Sequence, residues 1–522
     1  MERFTFSVLV IFIGVGFLLT LSSFALIGIE YDEAWILASH ISAFRAQAFA
    51  EVPHVVTTGG LHFFIIGAFG EAGEQVVVLA RLISIASFFG SILLIERFIR
   101  NWVPDFPARM IIVLCLLATP GSLFLGAMGY AVTLASFLLI AGFVTWFSIK
   151  RMNFFGMLFA GLFFGLAFAT RSTLLPVAPL LLILGITLPK EIRVRWIYGF
   201  VVSMVALIVF TALLMVQVNM GVSDSPDSRQ SIFSSNIAAA GITGSLFPSP
   251  ARITGFASRY FTLLSLPMTL VSLVSIVYLR PFLPRSLKLF LVALFGSAVL
   301  IAGAWVMKSP FLHTRYVWPS VLFVHIVCGI CLASLYSRSR ISNWETAKFI
   351  RLICLALPIG LAIETYSNGV RLIAAGSGYE TNNAGYSVQE NHFDAFRLVR
   401  EQKAIVEFVT NNLEAEETIA GYGLPPEWSL MQLGLLAQRN IVDFATSTEF
   451  SEPPSIIISH KFSQLSDSGL FWLNSISLEN ASIYGYRIYW VDKAKFELPS
   501  DDYLIDQSKY RFDLRRSQSL SG

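Results

Sequence analysis

Charge is scarce in this chain. Asp, Glu, Lys and Arg make up 14% of its 522 residues, where a soluble domain carries about 25%. Cysteine is scarcer still. Cys115, Cys328, Cys331 and Cys354 are the only four, and each lies inside an apolar run, which excludes a disulfide framework. The Cys328-Gly-Ile-Cys331 spacing suits a zinc or redox pair, but it falls in mid-span with no further ligand nearby and reads as helix packing. Net charge is +3, and no basic stripe with interleaved aromatics occurs, so a nucleic-acid partner is excluded. There is no internal repeat, no low-complexity tract and no nucleotide-binding glycine loop.

Apolar residues are 55% of the chain, with 45 Phe and 10 Trp, and the mean hydropathy is +0.67. Long uncharged runs make it a polytopic α-helical membrane protein. A span needs about 20 apolar residues. Eleven segments meet or approach that length: 4–29, 75–96, 109–125, 129–149, 154–170, 173–188, 196–218, 260–279, 287–307, 316–337 and 349–366. The first is longer than the roughly 7–15 residues of a signal-peptide core and is expected to be a retained span. Segment 59–70 is apolar but too short to cross, and is expected to be re-entrant or interfacial.

Basic residues set the expected orientation. With the N-terminus in the cytoplasm, the inner segments carry sixteen Lys or Arg, and the outer segments before the tail carry seven. An odd number of spans then puts residues 367–522 outside. That tail is more polar and more acidic. Residues 403–413 have the pattern of an amphipathic helix, and 455–459 and 486–491 read as strands. The tail is therefore expected to be a small α/β domain behind a linker at 376–394. The domain boundary is placed between 1–366, which includes the first outer loop 30–74, and 367–522. Gly161 and Gly165 have small-xxx-small spacing, which predicts close helix packing. A lone glycosylation sequon, Asn480-Ala-Ser482, decides nothing.

Ionisable groups at membrane depth are expensive and are by default functional candidates. Most lie at outer span edges. Tyr31-Asp32-Glu33 directly follows the first span. Two readings stay open for the carboxylate pair: it ends a helix and faces water, or a low dielectric and a like-charged neighbour raise one pKa enough for general-base work. Arg315-Tyr316 enters a late span, with Lys308 and His313 close by. It reads either as a snorkelling anchor or as a fork for a lipid phosphate. Arg81 lies about six residues into its span, roughly 9 Å deep, and either snorkels or meets a buried anion. Arg171 stands in the tight outer hairpin FATRSTLLP, as a plain loop cation or as part of the same anion site. His54 and His62 flank Gly59-Gly60, and their spacing is poor for a metal. They are expected to orient a group or cap a turn. Asp224 and Asp227 lie in a polar loop and read as solvated.

The order of these pieces resembles the GT-C membrane glycosyltransferases, especially the protein O-mannosyltransferase-like and aminoarabinose-transferase-like branch. Four stretches carry the likeness across most of residues 1–340. They are YDEAWILASHI, the helix pair from GGLHFFIIGAFG through Arg81, the hairpin GLFFGLAFATRSTLLP, and HTRYVWPSVLFVHIV. Three departures stand out. Gly59-Gly60 replaces a frequent Pro-Pro, Thr170-Arg171 replaces Thr-Lys, and Gly126-Ala-Met-Gly-Tyr130 stands where an acidic residue often occurs.

The resemblance implies a GT-C-like fold of about 11 transmembrane helices, and a sugar carried on a polyprenyl phosphate in the outer leaflet. It implies inverting transfer to a hydroxyl on a lipid, an envelope polymer or a protein, with no metal and no cofactor. Asp32 would be the base, and Glu33 would orient the site. Arg315 and Tyr316, with Arg81 or Arg171, would hold the leaving phosphate, and Tyr31, His54, His62, Lys308 and His313 would contact substrate. The chain's length suits the bacterial members, which implies the inner membrane. Two rivals remain: a flippase for lipid-linked sugars, and an envelope assembly protein that binds a partner through its tail. Transporters often show repeats and broken mid-membrane helices, and the sequence shows neither.

Overall fold

The computed structural model describes residues 60–70, 73–148, 154–186, 193–194, 196–205, 250–308, 314–341, 346–376, 399–414, 417–421, 441–443, 453–460, 467–483 and 486–497, and, nearer the N-terminus, 14, 33, 36, 37 and 41. The chain divides into two compact units. One comprises Met1–Leu26, Val56–Ile65 and Val78–Glu390; the other comprises Ile27–Val55, Ile66–Val77 and Asn391–Gly522.

The short apolar segment forms helix α1 (Gly60–Phe69), ten residues long. At 1.5 Å per residue that is about 15 Å, half of a hydrocarbon core. The membrane helices follow: α2 (Glu74–Ile99), α3 (Phe106–Leu117), α4 (Ala131–Ser148), α5 (Phe154–Thr170), α6 (Ala178–Gly185) and α7 (Trp196–Val205). Then come α8 (Pro250–Leu263), α9 (Leu266–Leu279), α10 (Arg285–Lys308), α11 (Thr314–Ile341) and α12 (Ala347–Gly376). Among the described residues, five helices are long and apolar enough to cross a membrane, and five shorter apolar helices accompany them. Each expected span from 75–96 onward overlaps one or more of these helices. The first, 4–29, lies outside the described residues except for Gly14. The protein is a helical membrane protein.

Small residues set the closest approaches. A Cβ on Gly142 would lie 2.5 Å from the Phe164 ring, so α4 and α5 touch there only because Gly142 has no side chain. A Cβ on Gly161 would lie 3.2 Å from the Phe200 Cα, which is the close packing expected of that position. Helix α11 is the buried centre of the bundle, its apolar window 94% covered, whereas that of α12 is 22% covered. The four cysteines are free and buried, as packing residues would be.

One expectation fails here. The sequence of 260–279 reads as one continuous span with no break. The chain instead breaks between α8 and α9, where Ser265 takes φ 51°. Pro267 enters the first turn of α9 and has no N–H for a continuous helix. The Thr269 hydroxyl donates to the Leu264 carbonyl at 2.8 Å and ties up one carbonyl left by the break.

The C-terminal part carries α13 (Val399–Asn412), β1 (Ile419–Gly421), β2 (Ile441–Asp443), β3 (Ile456–His460), α14 (Asp467–Ile476), β4 (Ser477–Ile483) and β5 (Tyr486–Val491). The sheet order is β2-β1-β3-β5-β4. β1 lies parallel to β2 and β3, and β5 runs antiparallel to β3 and β4. Strand alternation builds two cores. Ile456, Ile458 and Ile488 pack with Ile405 and Val409 of α13, while Ile457, Tyr489 and Val491 pack with Trp472 and Leu473 of α14. A run such as Ile456-Ile457-Ile458 is what a strand covered on both faces requires.

Candidate functional site

Helix α5 ends at Thr170, and the chain turns through Arg171 into the 3₁₀ segment Ser172–Val177. Arg171 is extended (φ −147°, ψ 105°). Its N–H still bonds back to the Ala167 carbonyl at 2.9 Å, and its own carbonyl accepts from Leu174 N–H at 3.1 Å. The turn therefore fixes the backbone of Arg171. Thr170 holds the same turn from the other side, its Oγ1 accepting a 3.3 Å bond from Leu61 N–H in α1.

The Arg171 side chain is only 2% exposed. Its Cζ lies 4.8 Å from the centre of the Tyr316 ring. Tyr316 in turn stacks on Trp305 at 4.2 Å and 13° between planes, which joins the start of α11 to the end of α10. Tyr130 is fully buried and close enough to act electrostatically on the guanidinium. Its backbone is pinned twice: Tyr130 N–H donates to Met128 C=O at 2.7 Å, and Ser84 Oγ of α2 donates to Tyr130 C=O at 3.3 Å.

Two donors of Arg171, Nε and Nη2, have no acceptor among the described residues. Burial pulls this guanidinium below the ordinary arginine range, and the Tyr316 and Tyr130 hydroxyls act in the opposite direction. A guanidinium keeps its proton even so. Burying an unpaired cation costs on the order of several kcal/mol. A desolvated cation–π contact returns about 2 kcal/mol. The balance favours an anion that can accept both free donors, and a phosphate or carboxylate fits that fork.

The other expected site residues divide into three sets. Arg81 is fully buried on α2, three residues before Ser84, and His62 is fully buried on α1. Glu33 is fully buried and helical, and belongs to the second compact unit, where Ile36, Leu37 and Ile41 share its buried helical face. Lys308 and Arg315 stand at the end of α10 and in the first turn of α11. Tyr31, Asp32, His54, His313, Asp224 and Asp227 lie outside the described residues. Among the described residues, no three His, Cys, Asp or Glu side chains gather as metal ligands would.

Two contributors had no role assigned from sequence. Trp305 backs Tyr316, and Tyr130 is close enough to act on the Arg171 charge. The usable signal was positional: both are aromatics at span ends on the face that also carries Arg171.

No protein-family model matches the chain, and no curated protein matches its sequence. Solved structures do match in fold. ArnT from Cupriavidus metallidurans bound to undecaprenyl phosphate superposes with a TM-score of 0.55 at 14% identity, over 92% of this chain and 97% of that one. Its apo state gives 0.51 at 12% identity, over 94% and 98%. The likeness is one of architecture, and it gives this chain a GT-C-like fold.

Proposed function

We propose that the chain transfers a sugar from a polyprenyl-phosphate carrier to an acceptor hydroxyl at the outer face of the membrane, with inversion at the anomeric carbon. The observation that carries this reading is the Arg171 guanidinium, buried and with two donors unclaimed among the described residues. Its position at the end of a bundle suits a phosphate that arrives on a membrane-anchored tail. The similar ArnT was crystallised bound to undecaprenyl phosphate, which supports the same class of carrier here.

In the proposed step the acceptor oxygen attacks the anomeric carbon in line with the bond to phosphate. Asp32 takes the acceptor proton. A carbon–oxygen bond forms on one face and the carbon–phosphate-oxygen bond breaks on the other. The bonding pair leaves with the phosphate, which gains negative charge. Arg171, with Arg81 and Arg315, stabilises that charge as it develops. Tyr316 holds the Arg171 fork in place, and Glu33 orients the acceptor side. The sugar is a hexose or pentose, and the acceptor is a lipid, an envelope polymer or a protein.

The test has two arms. Deletion of the gene in its host, complemented with wild type or Asp32→Asn, is followed by mass spectrometry of envelope glycolipids, polymers and glycoproteins. One sugar should disappear on deletion and return only with wild type. Full restoration by Asp32→Asn would remove the first loop from the chemistry. In the second arm, Arg171→Gln should weaken binding of undecaprenyl phosphate about 10–100-fold, the worth of a charged fork. Unchanged binding would sink the anion site.

A further inference from the structure

At the end of the bundle away from Arg171, the turn between α9 and α10 gathers cations that have no carboxylate partner among the described residues. Arg280 closes α9, Arg285 opens α10, and Lys288 follows one turn later. Arg338, in the last turn of α11, places its Cζ 3.4 Å from the centre of the Phe282 ring and so joins the same corner. The turn is tight, with Phe282 and Leu283 N–H both donating to the Leu279 carbonyl, at 2.8 and 3.2 Å.

Two neighbouring cations at this end are matched. Arg109 pairs with Glu96 at 2.7 Å, and Arg340 pairs with Asp105 at 3.2 Å. By contrast, Arg280, Arg285, Lys288 and Arg338 have no carboxylate partner among the described residues. Three of them, Arg280, Arg285 and Arg338, are exposed. The positive end of the α10 macrodipole adds to the field at Arg285.

The approach to this corner is apolar. Leu270, Val274 and Val277 line an outward face of α9 that leads to the turn, Val277 being 76% exposed. An apolar strip that ends in a cluster of exposed cations has the chemistry of a phospholipid site: tails along the strip, phosphate at the end.

We propose that the α9–α10 corner binds an anionic phospholipid, its phosphate held by Arg280, Arg285 and Arg338 and its acyl chains laid along α9. Four positive charges in one corner suit a headgroup with two phosphates, as in cardiolipin. The site is separate from Arg171 and does not depend on the sugar-transfer reading.

The test is native mass spectrometry of the full chain, titrated with cardiolipin and with phosphatidylcholine. Wild type should retain cardiolipin selectively. Each cation near an anionic headgroup is worth roughly 1 kcal/mol, or about fivefold. Arg280→Gln/Arg285→Gln/Arg338→Gln should therefore lower cardiolipin occupancy about 100-fold. Arg97→Gln/Lys348→Gln, which removes two exposed cations elsewhere at this end, should cost only a few-fold. Equal loss in both variants would mean diffuse surface charge and would overturn the proposal. So would displacement of the lipid by inorganic phosphate, which marks a free-anion site. If the triple variant fails to fold, Arg285→Gln alone and a salt series on wild type decide the matter. Occupancy that ignores a roughly tenfold rise in ionic strength would mean apolar contact only.

Discussion

Arg171 is a buried cation with two donors unclaimed among the described residues, and the Tyr316 ring offsets part of the cost of that burial. Tyr316→Leu should lower thermal stability by about 2 kcal/mol through loss of the cation–π contact, whereas Tyr316→Phe, which keeps the ring, should lose less. A thermal melt of both variants checks this, and equal loss would mean that the ring merely fills space. Arg171 was legible in the sequence because a charge in a short apolar hairpin has few cheap explanations. Tyr130 was not, because an aromatic at a span end is also an ordinary interfacial anchor, and only its electrostatic proximity to Arg171 separates the two roles. Glu33 shows a different shortfall. Its place after the first span left two readings open, a carboxylate facing water or one held at low dielectric, and Glu33 is buried. Ile36, Leu37 and Ile41 are buried and helical with it, a spacing that a helical face carries.

At the scale of elements, hydropathy located the membrane helices because every buried or lipid-facing turn must be apolar. It could not locate the break at Ser265, since Leu264, Leu266 and their neighbours are as apolar as a continuous span. The signal was conformational: Pro267 two residues beyond a small polar residue. Ser265→Val should cost about 1–2 kcal/mol, the penalty of the left-handed region for a residue with a full side chain, and Ser265→Gly should cost little. Melting temperatures of the two variants test this, and an equal drop in both would show that the break does not depend on that backbone angle. A broken helix is a feature of transporters, but its position matters. Helix α9 has 14 residues, about 21 Å, so the break lies near two-thirds of a 30 Å core rather than at its centre. Sealed vesicles holding the purified protein should therefore fail to flip a lipid-linked sugar, and protein-dependent flipping would restore the transport reading. In the tail, α13, β3 and β5 were legible from their periodicity. β1 and β2, three residues each, are too short to show a period, and β4 (SLENASI) carries edge-strand polarity that reads as loop.

For the whole molecule, the fold of ArnT extends over nearly the full length of both chains at 12–14% identity. Architecture of this kind survives because span length, small-residue contacts and the sheet's two cores constrain composition more than identity. The division into units bears on function. Residues 27–55 and 66–77 group with 391–522 rather than with the helices they adjoin in sequence. Sequence reading joins a loop to its nearest span, because no local signal shows that it groups with a segment some 350 residues away. If the first loop takes its packing from the tail, then deletion of residues 391–522 should do more than remove a separate domain. It should open the first loop to limited proteolysis near Glu33 and abolish sugar transfer, while the membrane helices keep their helical circular dichroism. A truncated protein that still transfers sugar and resists cleavage there would show that the loop is held by the helices alone. The tail would then be free to serve a partner, which is the outcome the assembly reading requires.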